Sequence, residues 1–434
     1  MKEFKCVVKN PLGIHARPAA LLAQACVNLK SSVAISCNGK EAMGSNVLSI
    51  LSLGAKKGDR LNVKVEGPDE ESAVDTVRAI LNEEVTEEES EVEILKIAFF
   101  GTKDYDKIFF SELAKEVGPG TYNSEITYIE ARLTKQTAAL SKGHDAICIF
   151  VNDDCDREVV DILHENNIRL ILLRCAGFNN VDLNACKEYG IKVARVPAYS
   201  PYAVAEHAMA IVQEANRRLH KANNKVRDNN FSLSGLLGVD LHNKVCGVMG
   251  TGKIGQCFAS IAKGYGMTVI GWDAYPNQKL VEEGLLTYVT KDELLEKADL
   301  ISLHAPLIMG EGGTYHLIDQ AAMDKMKDSA MLVNTARGAL IDAEALYQTL
   351  KTGKFQAVAL DVYEGEDNNV YTDRSGDALT SSITARLLMF PQVVLTSHQA
   401  FFTREAMQAI AVTTMENAKN FNEGKELGSS EVSA

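Results

Sequence analysis

The chain has 434 residues, enough for two or three domains with proper cores, and 46% of them are hydrophobic, as in an ordinary globular protein. A net charge of −13 argues against general attraction to nucleic acid or to an anionic membrane. No apolar run approaches the ~20 residues that span a bilayer, and nine cysteines without a C-x-x-C pair read as reduced thiols of a cytoplasmic protein, with no disulfide framework and no metal site.

Residues 1–5 run straight into strand-like alternation, unlike a signal peptide. Residues 4–8 predict a strand, 16–29 a helix, 32–37 a strand, 47–53 a short helix, 60–65 a strand and 70–81 a helix. This alternation within residues 1–82 predicts an open-faced α/β sandwich. His15 stands just before the first helix, with Arg17 close by and Pro18 in the first turn. A helix start carries free N–H groups and positive potential, which with Arg17 suits a phosphate carried on the imidazole. The local string also fits an ordinary surface histidine at a helix start.

Residues 83–93 are dominated by glutamate. Like charges repel and nothing there builds a core. Residues 83–94 therefore read as a solvated linker, or in part as the frayed acidic end of the preceding helix.

Beyond it, short apolar runs recur between helical stretches. One series lies at 97–100, 146–150, 170–173 and 193–196. A second lies at 245–249, 268–270, 300–303, 331–334, 357–360 and 393–395. Near-continuous apolar strands alternating with helices predict parallel sheets covered on both faces. Two doubly wound, Rossmann-type domains are expected: a substrate domain of residues 95–200 and 400–425, and a nucleotide domain of residues 201–399. Helices at 203–221 and 404–421 make the two crossings, which predicts a hinged enzyme with its site in the cleft. The stretch 367–390, long and polar before becoming apolar, reads as a surface excursion to which no chemistry is assigned.

The second series opens on an apolar strand, Val245 to Met249, followed by Gly250-Thr251-Gly252-Lys253-Ile254-Gly255. Gly250 permits a sharp turn, Gly252 leaves room for a pyrophosphate, and Gly255 lets the helix pack close to the strand. Asp273 follows about 18 residues later, where a second strand should end, and can accept hydrogen bonds from an adenosine ribose. An acid here, without a basic patch, favours NAD over NADP. Three motifs follow at later strand ends: Asn334-Thr335-Ala336-Arg337-Gly338, then Asp361-Val362-Tyr363-Glu364-Gly365-Glu366, then His398-Gln399-Ala400-Phe401. Open α/β sheets bind their ligands at those ends. Arginine can fork onto a carboxylate, and histidine is the usual acid/base near neutral pH. Singly, Arg337 reads equally as a surface ion pair, Glu366 as a loop solvator and His398 as a structural histidine. Jointly, beside an NAD loop, they describe a hydride-transfer site.

The stretch 97–421 resembles the D-2-hydroxyacid dehydrogenase family, and within it the fermentative D-lactate dehydrogenases. The shared residues run from Arg174 to Asp182, through Pro197-Ala198-Tyr199 and Ala203-Val204-Ala205-Glu206-His207, and then through the motifs above. The resemblance implies NAD-dependent reduction of pyruvate to D-lactate. Arg337 would bind the substrate carboxylate and carbonyl, and Glu366 would pair with His398, the proton donor. The amides of Ala176 and Gly177 would hold the carboxylate, with Tyr199 and Phe401 lining a small pocket. Gly250, Gly252, Lys253, Ile254, Gly255 and Asp273 would hold NAD. His304 and Pro306 would lie near the cofactor, and Thr335 and Asp361 near its nicotinamide end. A homo-oligomer built through the nucleotide domain is also implied.

Residues 1–82 resemble HPr, the histidine phosphocarrier of the bacterial sugar phosphotransferase system. His15-Ala16-Arg17-Pro18, Ser49 to Gly54 and Lys57-Gly58-Asp59 carry the likeness. It implies His15 as phosphoacceptor, Arg17 as phosphate partner and enzyme I of that system as a partner. The position of the family's regulatory serine holds Asn46, with Ser45 beside it. Phosphoenolpyruvate spent on His15 would release pyruvate, so phosphorylation would be a means of tuning the dehydrogenase. The other readings are a dehydrogenase for a different small 2-hydroxyacid, or an NAD- or phosphorylation-sensing regulator. Loss of Arg337, Glu366 or His398 would have favoured the regulator, and all three are present.

Overall fold

The computed structural model describes residues 1–8, 13–14, 16–27, 29–82, 94–118, 121–366, 369–379 and 382–434. It divides into two compact units, Met1–Glu93 and Ile94–Ala434. His15 and the acidic run 83–93 lie outside the described residues.

The first unit is a four-stranded antiparallel sheet with three helices. Strands β1 (Lys2–Val7), β2 (Ser32–Cys37), β3 (Lys40–Met43) and β4 (Arg60–Glu66) take the order β1-β4-β2-β3. Alternate residues are buried, so Ile35, Leu61, Val63 and Val65 point to one core. Helices α1 (Ala16–Val27), α2 (Val47–Ser52) and α3 (Glu70–Asn82) supply Leu22, Ile50, Ala73 and Val77 to it. Strand β3 is absent from the sequence reading because it is short and polar. Its signal was the Asn38-Gly39 pair, whose two positive φ angles, 48° and 81°, make the tight hairpin turn between β2 and β3. Asn46 caps α2, its side-chain oxygen accepting from Ser49 N at 3.0 Å.

The second unit holds two parallel sheets. The first contains β5 (Leu95–Phe99), β6 (Ser124–Tyr128), β7 (Ala146–Ile149), β8 (Leu170–Leu173) and β9 (Lys192–Arg195), in the order β6-β5-β7-β8-β9. Helices α4 (Asp104–Val117), α5 (Arg157–Glu165) and α6 (Leu183–Glu188) connect them. Next come α7 (Pro201–Arg217) and α8 (Leu219–Arg227). The second sheet contains β10 (Val245–Met249), β11 (Thr268–Trp272), β12 (Thr287–Tyr288), β13 (Leu300–Leu303), β14 (Met331–Asn334), β15 (Ala357–Leu360) and β16 (Val393–Leu395). Its order is β12-β11-β10-β13-β14-β15-β16. Its helices are α9 (Lys253–Gly264), α10 (Gln278–Glu282), α11 (Lys291–Lys297), α12 (Gln320–Lys325), α13 (Ala343–Lys351) and α14 (Ser382–Leu388), and α15 (Arg404–Asn422) closes the series. Strands β7, β8, β13, β14 and β15 are buried along their whole length, which explains their unbroken apolar runs.

Two edge strands, β6 and β12, were missed. The first alternates half-exposed and exposed residues, and the second has only two residues, so neither makes an apolar run. The helix expected at 203–221 is two helices, broken at Arg218 in the left-handed conformation. There the Arg218 guanidinium donates to the carbonyl of Gln356 at 2.9 Å. Helix α7 packs on β14, β15 and β16, whereas α15 leaves the second sheet and packs on α4, β8 and β9 of the first. Strand order reverses between β10 and β13, so the crevice at their carboxyl ends is the natural ligand site. Among the described residues no helix is long and apolar enough to cross a membrane.

Candidate active site

The glycine loop follows β10. Gly250 has φ +93°, and a Cβ there would lie 2.6 Å from the His304 carbonyl carbon and the Ala305 nitrogen. A Cβ on Gly255 would lie 2.0 Å from the Gly250 oxygen, so loop and helix approach as only glycine allows. One on Gly252, at the N-cap of α9, would meet nothing within 4 Å. That open space sits at a helix N-terminus, with Lys253 and Ile254 in the first turn. Asp273 follows β11. Its carboxylate accepts from Thr251 N at 2.6 Å, Thr251 Oγ1 at 3.0 Å and Tyr275 N at 2.9 Å. The acid thus braces the loop it serves.

His304 follows β13. Its Nε2 lies 2.7 Å from Ser302 Oγ, while Nδ1 is buried without a partner. Burial holds this imidazole down to about 3, so it is neutral at working pH. Thr335, at the end of β14, also buries an unpartnered hydroxyl oxygen. Pro306 is exposed two residues beyond His304.

Asn334 shapes the loop that carries Arg337. Its side chain accepts from Ala336 N at 3.0 Å and donates to the Arg337 carbonyl at 2.9 Å. Arg337 Nη1 donates to the Ala336 carbonyl at 2.7 Å, and Nη2 lies 3.5 Å from where a Gly177 Cβ would stand. His398 Nδ1 lies 3.0 Å from Glu366 Oε1, and the other carboxylate oxygen of Glu366 accepts from Tyr363 N at 3.2 Å. Nδ1 is therefore occupied, leaving Nε2 for a substrate.

Arg337, Glu366 and His398, from the second sheet, line one cavity of about 510 Å³ with Ala176, Gly177 and Tyr199 from the first. Phe401 lines it too, its ring 6.2 Å from that of Tyr199. Burial pushes the neighbouring Cys175 thiol up to about 12, so it remains a protonated wall residue and no nucleophile.

Residues 209–400 match the family model described as the NAD binding domain of D-isomer specific 2-hydroxyacid dehydrogenases, and residues 2–83 match that of the PTS HPr component phosphorylation site. The chain is 44% identical over 331 residues to a D-lactate dehydrogenase of Escherichia coli (strain K12), covering 76% of this chain and 98% of that relative. It is 42% identical over 327 residues to 2-hydroxyacid dehydrogenase A of Aspergillus oryzae, covering 75% and 92%. The chain belongs to the D-isomer-specific 2-hydroxyacid dehydrogenase family. Among solved structures, the pyruvate reductase of Chlamydomonas reinhardtii superposes with a TM-score of 0.72 at 40% identity, over 78% of this chain and 99% of that one.

The enzyme is an NAD-dependent dehydrogenase of that family, and its nucleotide crevice fits the cofactor. The open space at Gly252, the brace at Asp273 and the unpartnered buried atoms of His304 and Thr335 all lie at the carboxyl ends of β10, β11, β13 and β14. Asp361, expected near the nicotinamide end, follows β15 and bonds the loop after β16. Its carboxylate accepts from Gln399 N at 2.9 Å, Ala400 N at 2.8 Å and Thr396 Oγ1 at 2.5 Å, with His207 Nε2 at 3.3 Å. Burial pushes this carboxyl up, but the bonds from His207, Thr396 and the two amides outweigh it and hold the group below its usual range. The acid anchors the loop that carries His398.

Sequence reasoning also missed part of the dehydrogenase's cavity. Phe150, Arg174 and Tyr371 line it. Arg174 is buried beside Asp106, Nε to Oδ1 3.6 Å, with its guanidinium 4.5 Å from the Phe99 ring centroid and 5.1 Å from that of Phe150. Its place just before Cys175-Ala176-Gly177 was the available signal. In the stretch 367–390 most described residues of 369–379 are exposed, as a surface excursion requires, but Tyr371 departs from this. Tyr371 stands in the cavity wall, its ring 5.3 Å from Phe150, and its hydroxyl donates to the His398 carbonyl at 2.8 Å. The turns of residues 369–379 give no periodic signal for such a contact. His316, Asp342 and Glu364 also cluster. His316 Nε2 lies 2.9 Å from Glu364 and Nδ1 3.6 Å from Asp342, so both ring nitrogens face carboxylates of the chain.

Proposed function

We propose that the Ile94–Ala434 unit reduces pyruvate to D-lactate. The observation that carries this is the His398–Glu366 pair at 3.0 Å in the same cavity as Arg337. Residues 95–200 with 400–425 serve as the substrate domain and 201–399 as the nucleotide domain. The return of α15 to the first sheet supports that division. NADH would be held by Gly250, Gly252, Lys253, Ile254, Gly255 and Asp273 with His304, Pro306, Thr335 and Asp361, and would supply the hydride to the carbonyl carbon. Arg337 grips the substrate carboxylate and polarises the carbonyl, helped by the amides of Ala176 and Gly177. As the carbonyl electron pair moves onto oxygen, His398 Nε2 delivers a proton to it, and Glu366 balances the imidazolium that holds that proton beforehand. Tyr199 and Phe401 close the space around the methyl group, which favours a small 2-oxo acid.

A panel of 2-oxo acids with NADH tests the reading. Pyruvate is expected to turn over faster than glyoxylate, phenylpyruvate or hydroxypyruvate, and an enantiomer-specific assay is expected to find D-lactate. Faster reduction of one of the others would reassign the substrate.

The first unit is read as an HPr-like open-faced sandwich that accepts a phosphoryl group on His15, with Arg17 as its partner and enzyme I of the phosphotransferase system as donor. Its antiparallel sheet, its three helices and the match over residues 2–83 support this. Asn46, which caps α2, offers no hydroxyl to a kinase. Incubation with enzyme I and phosphoenolpyruvate should add one acid-labile phosphoryl group, absent in His15→Ala. Labelling that survives this substitution would move the site elsewhere. Lactate formation by the phosphorylated and unphosphorylated protein then shows whether the two units are coupled. Large exposed side chains at Phe231, Leu233 and Leu237 in the nucleotide domain support a homo-oligomer, and the cytoplasm is the compartment that suits the free cysteines.

A further inference from the structure

His398 has φ +52°, in the left-handed region that a residue with a Cβ disfavours, so neighbouring groups must hold it there. Three bonds do. Its amide donates to the Asp361 carbonyl at 2.9 Å, its ring meets Glu366 at 3.0 Å, and its carbonyl accepts the Tyr371 hydroxyl at 2.8 Å. The first two come from the motif at the end of β15. The third comes from a segment to which the reaction assigns nothing.

Tyr371 is itself left-handed, at φ +59°. Its ring packs against Phe150 and stands 6.1 Å from the imidazole, centroid to centroid. Burial, with the charge of Asp361 next, pushes its hydroxyl well above the usual tyrosine range, so it stays protonated and remains a donor. Two strained residues thus face each other across one hydrogen bond in the wall of the substrate cavity. Strain of this kind persists only where the surroundings impose it.

We infer that Tyr371 is a positioning residue: its hydroxyl fixes the backbone of His398 and thereby aims Nε2 at the substrate oxygen. The inference rests on the reading of His398 as proton donor. Tyr371 does not itself exchange a proton with substrate, because its hydroxyl hydrogen is committed to the His398 carbonyl.

Tyr371→Phe separates aiming from packing, because the ring stays and a single donor is lost. With NADH and pyruvate, kcat should fall about five- to twentyfold, the loss expected for one buried hydrogen bond. The KM for pyruvate and the affinity for NADH should stay near wild type, as should the thermal unfolding midpoint. The solvent deuterium isotope effect on kcat should rise, because a poorly aimed proton transfer limits the rate more. In a His398→Ala background the same substitution should change nothing, since no imidazole remains to be aimed. Wild-type kcat in Tyr371→Phe, a loss confined to KM, or an equal loss in both backgrounds would overturn the inference. Wild-type turnover in His398→Ala would instead sink the proton-donor reading, and the inference with it, so the two failures are distinguishable.

Discussion

Replacing His398 by alanine is expected to lower kcat for 2-oxo-acid reduction by about 10²–10⁴-fold, the usual contribution of a positioned acid. The imidazole is the titratable group in the cavity whose free nitrogen is left by design. Glu366 takes Nδ1 at 3.0 Å, and Asp361 and Tyr371 hold the backbone on either side. Its removal leaves a developing alkoxide with Arg337 for charge but no proton. NADH affinity should be unchanged, because the nucleotide crevice is built on β10, β11, β13 and β14, whereas His398 follows β16. Steady-state turnover together with a fluorescence titration of NADH separates the two quantities. Turnover at the wild-type level would remove His398 from the mechanism, and lost NADH binding would make its role structural.

Arg337→Lys should be nearly as severe, with kcat/KM falling on the order of 10²–10³-fold, because a fork is replaced by a point charge. The surrounding loop has little freedom to compensate. Asn334 grips the Arg337 carbonyl at 2.9 Å, and a Cβ on Gly338 would stand 2.3 Å from the Tyr363 carbonyl carbon. A lysine ammonium on this backbone reaches the carboxylate or the carbonyl oxygen, not both in one plane. Loss should therefore appear in KM and in kcat together, since the proposed role of the arginine joins binding and charge development. A change in KM alone would confine Arg337 to substrate binding, and near-normal kinetics would remove it from the site.

Much of this site was legible because its parts are short and continuous. The glycine loop is one turn between one strand and one helix, so Gly250 and Gly255 report their own steric demands and Gly252 the open space beside it. The apolar runs of β13, β14 and β15 announce burial on both faces, and topology then places the residues that follow them at one edge of the sheet. Elements at the margins were less visible. Strand β12 has two residues, and β6 shows solvent on one flank. The β2–β3 hairpin did carry a local signal in Asn38-Gly39 that the hydrophobic pattern overshadowed.

The chain of residues by itself determined the cofactor loop, the alternation of strands and helices, and the residue types of the proposed site. These rest on local sterics and periodicity, which neighbouring residues settle among themselves. Only the tertiary structure decided what each group faces. Asp361 is turned onto the loop of His398, 35 or more residues away in the chain, and Tyr371 is brought from an irregular segment to the carbonyl of the same histidine. Contacts of that kind depend on how two sheets close around one cavity. No local pattern encodes them, because the energy that selects them is the burial of polar groups with partners distant in sequence.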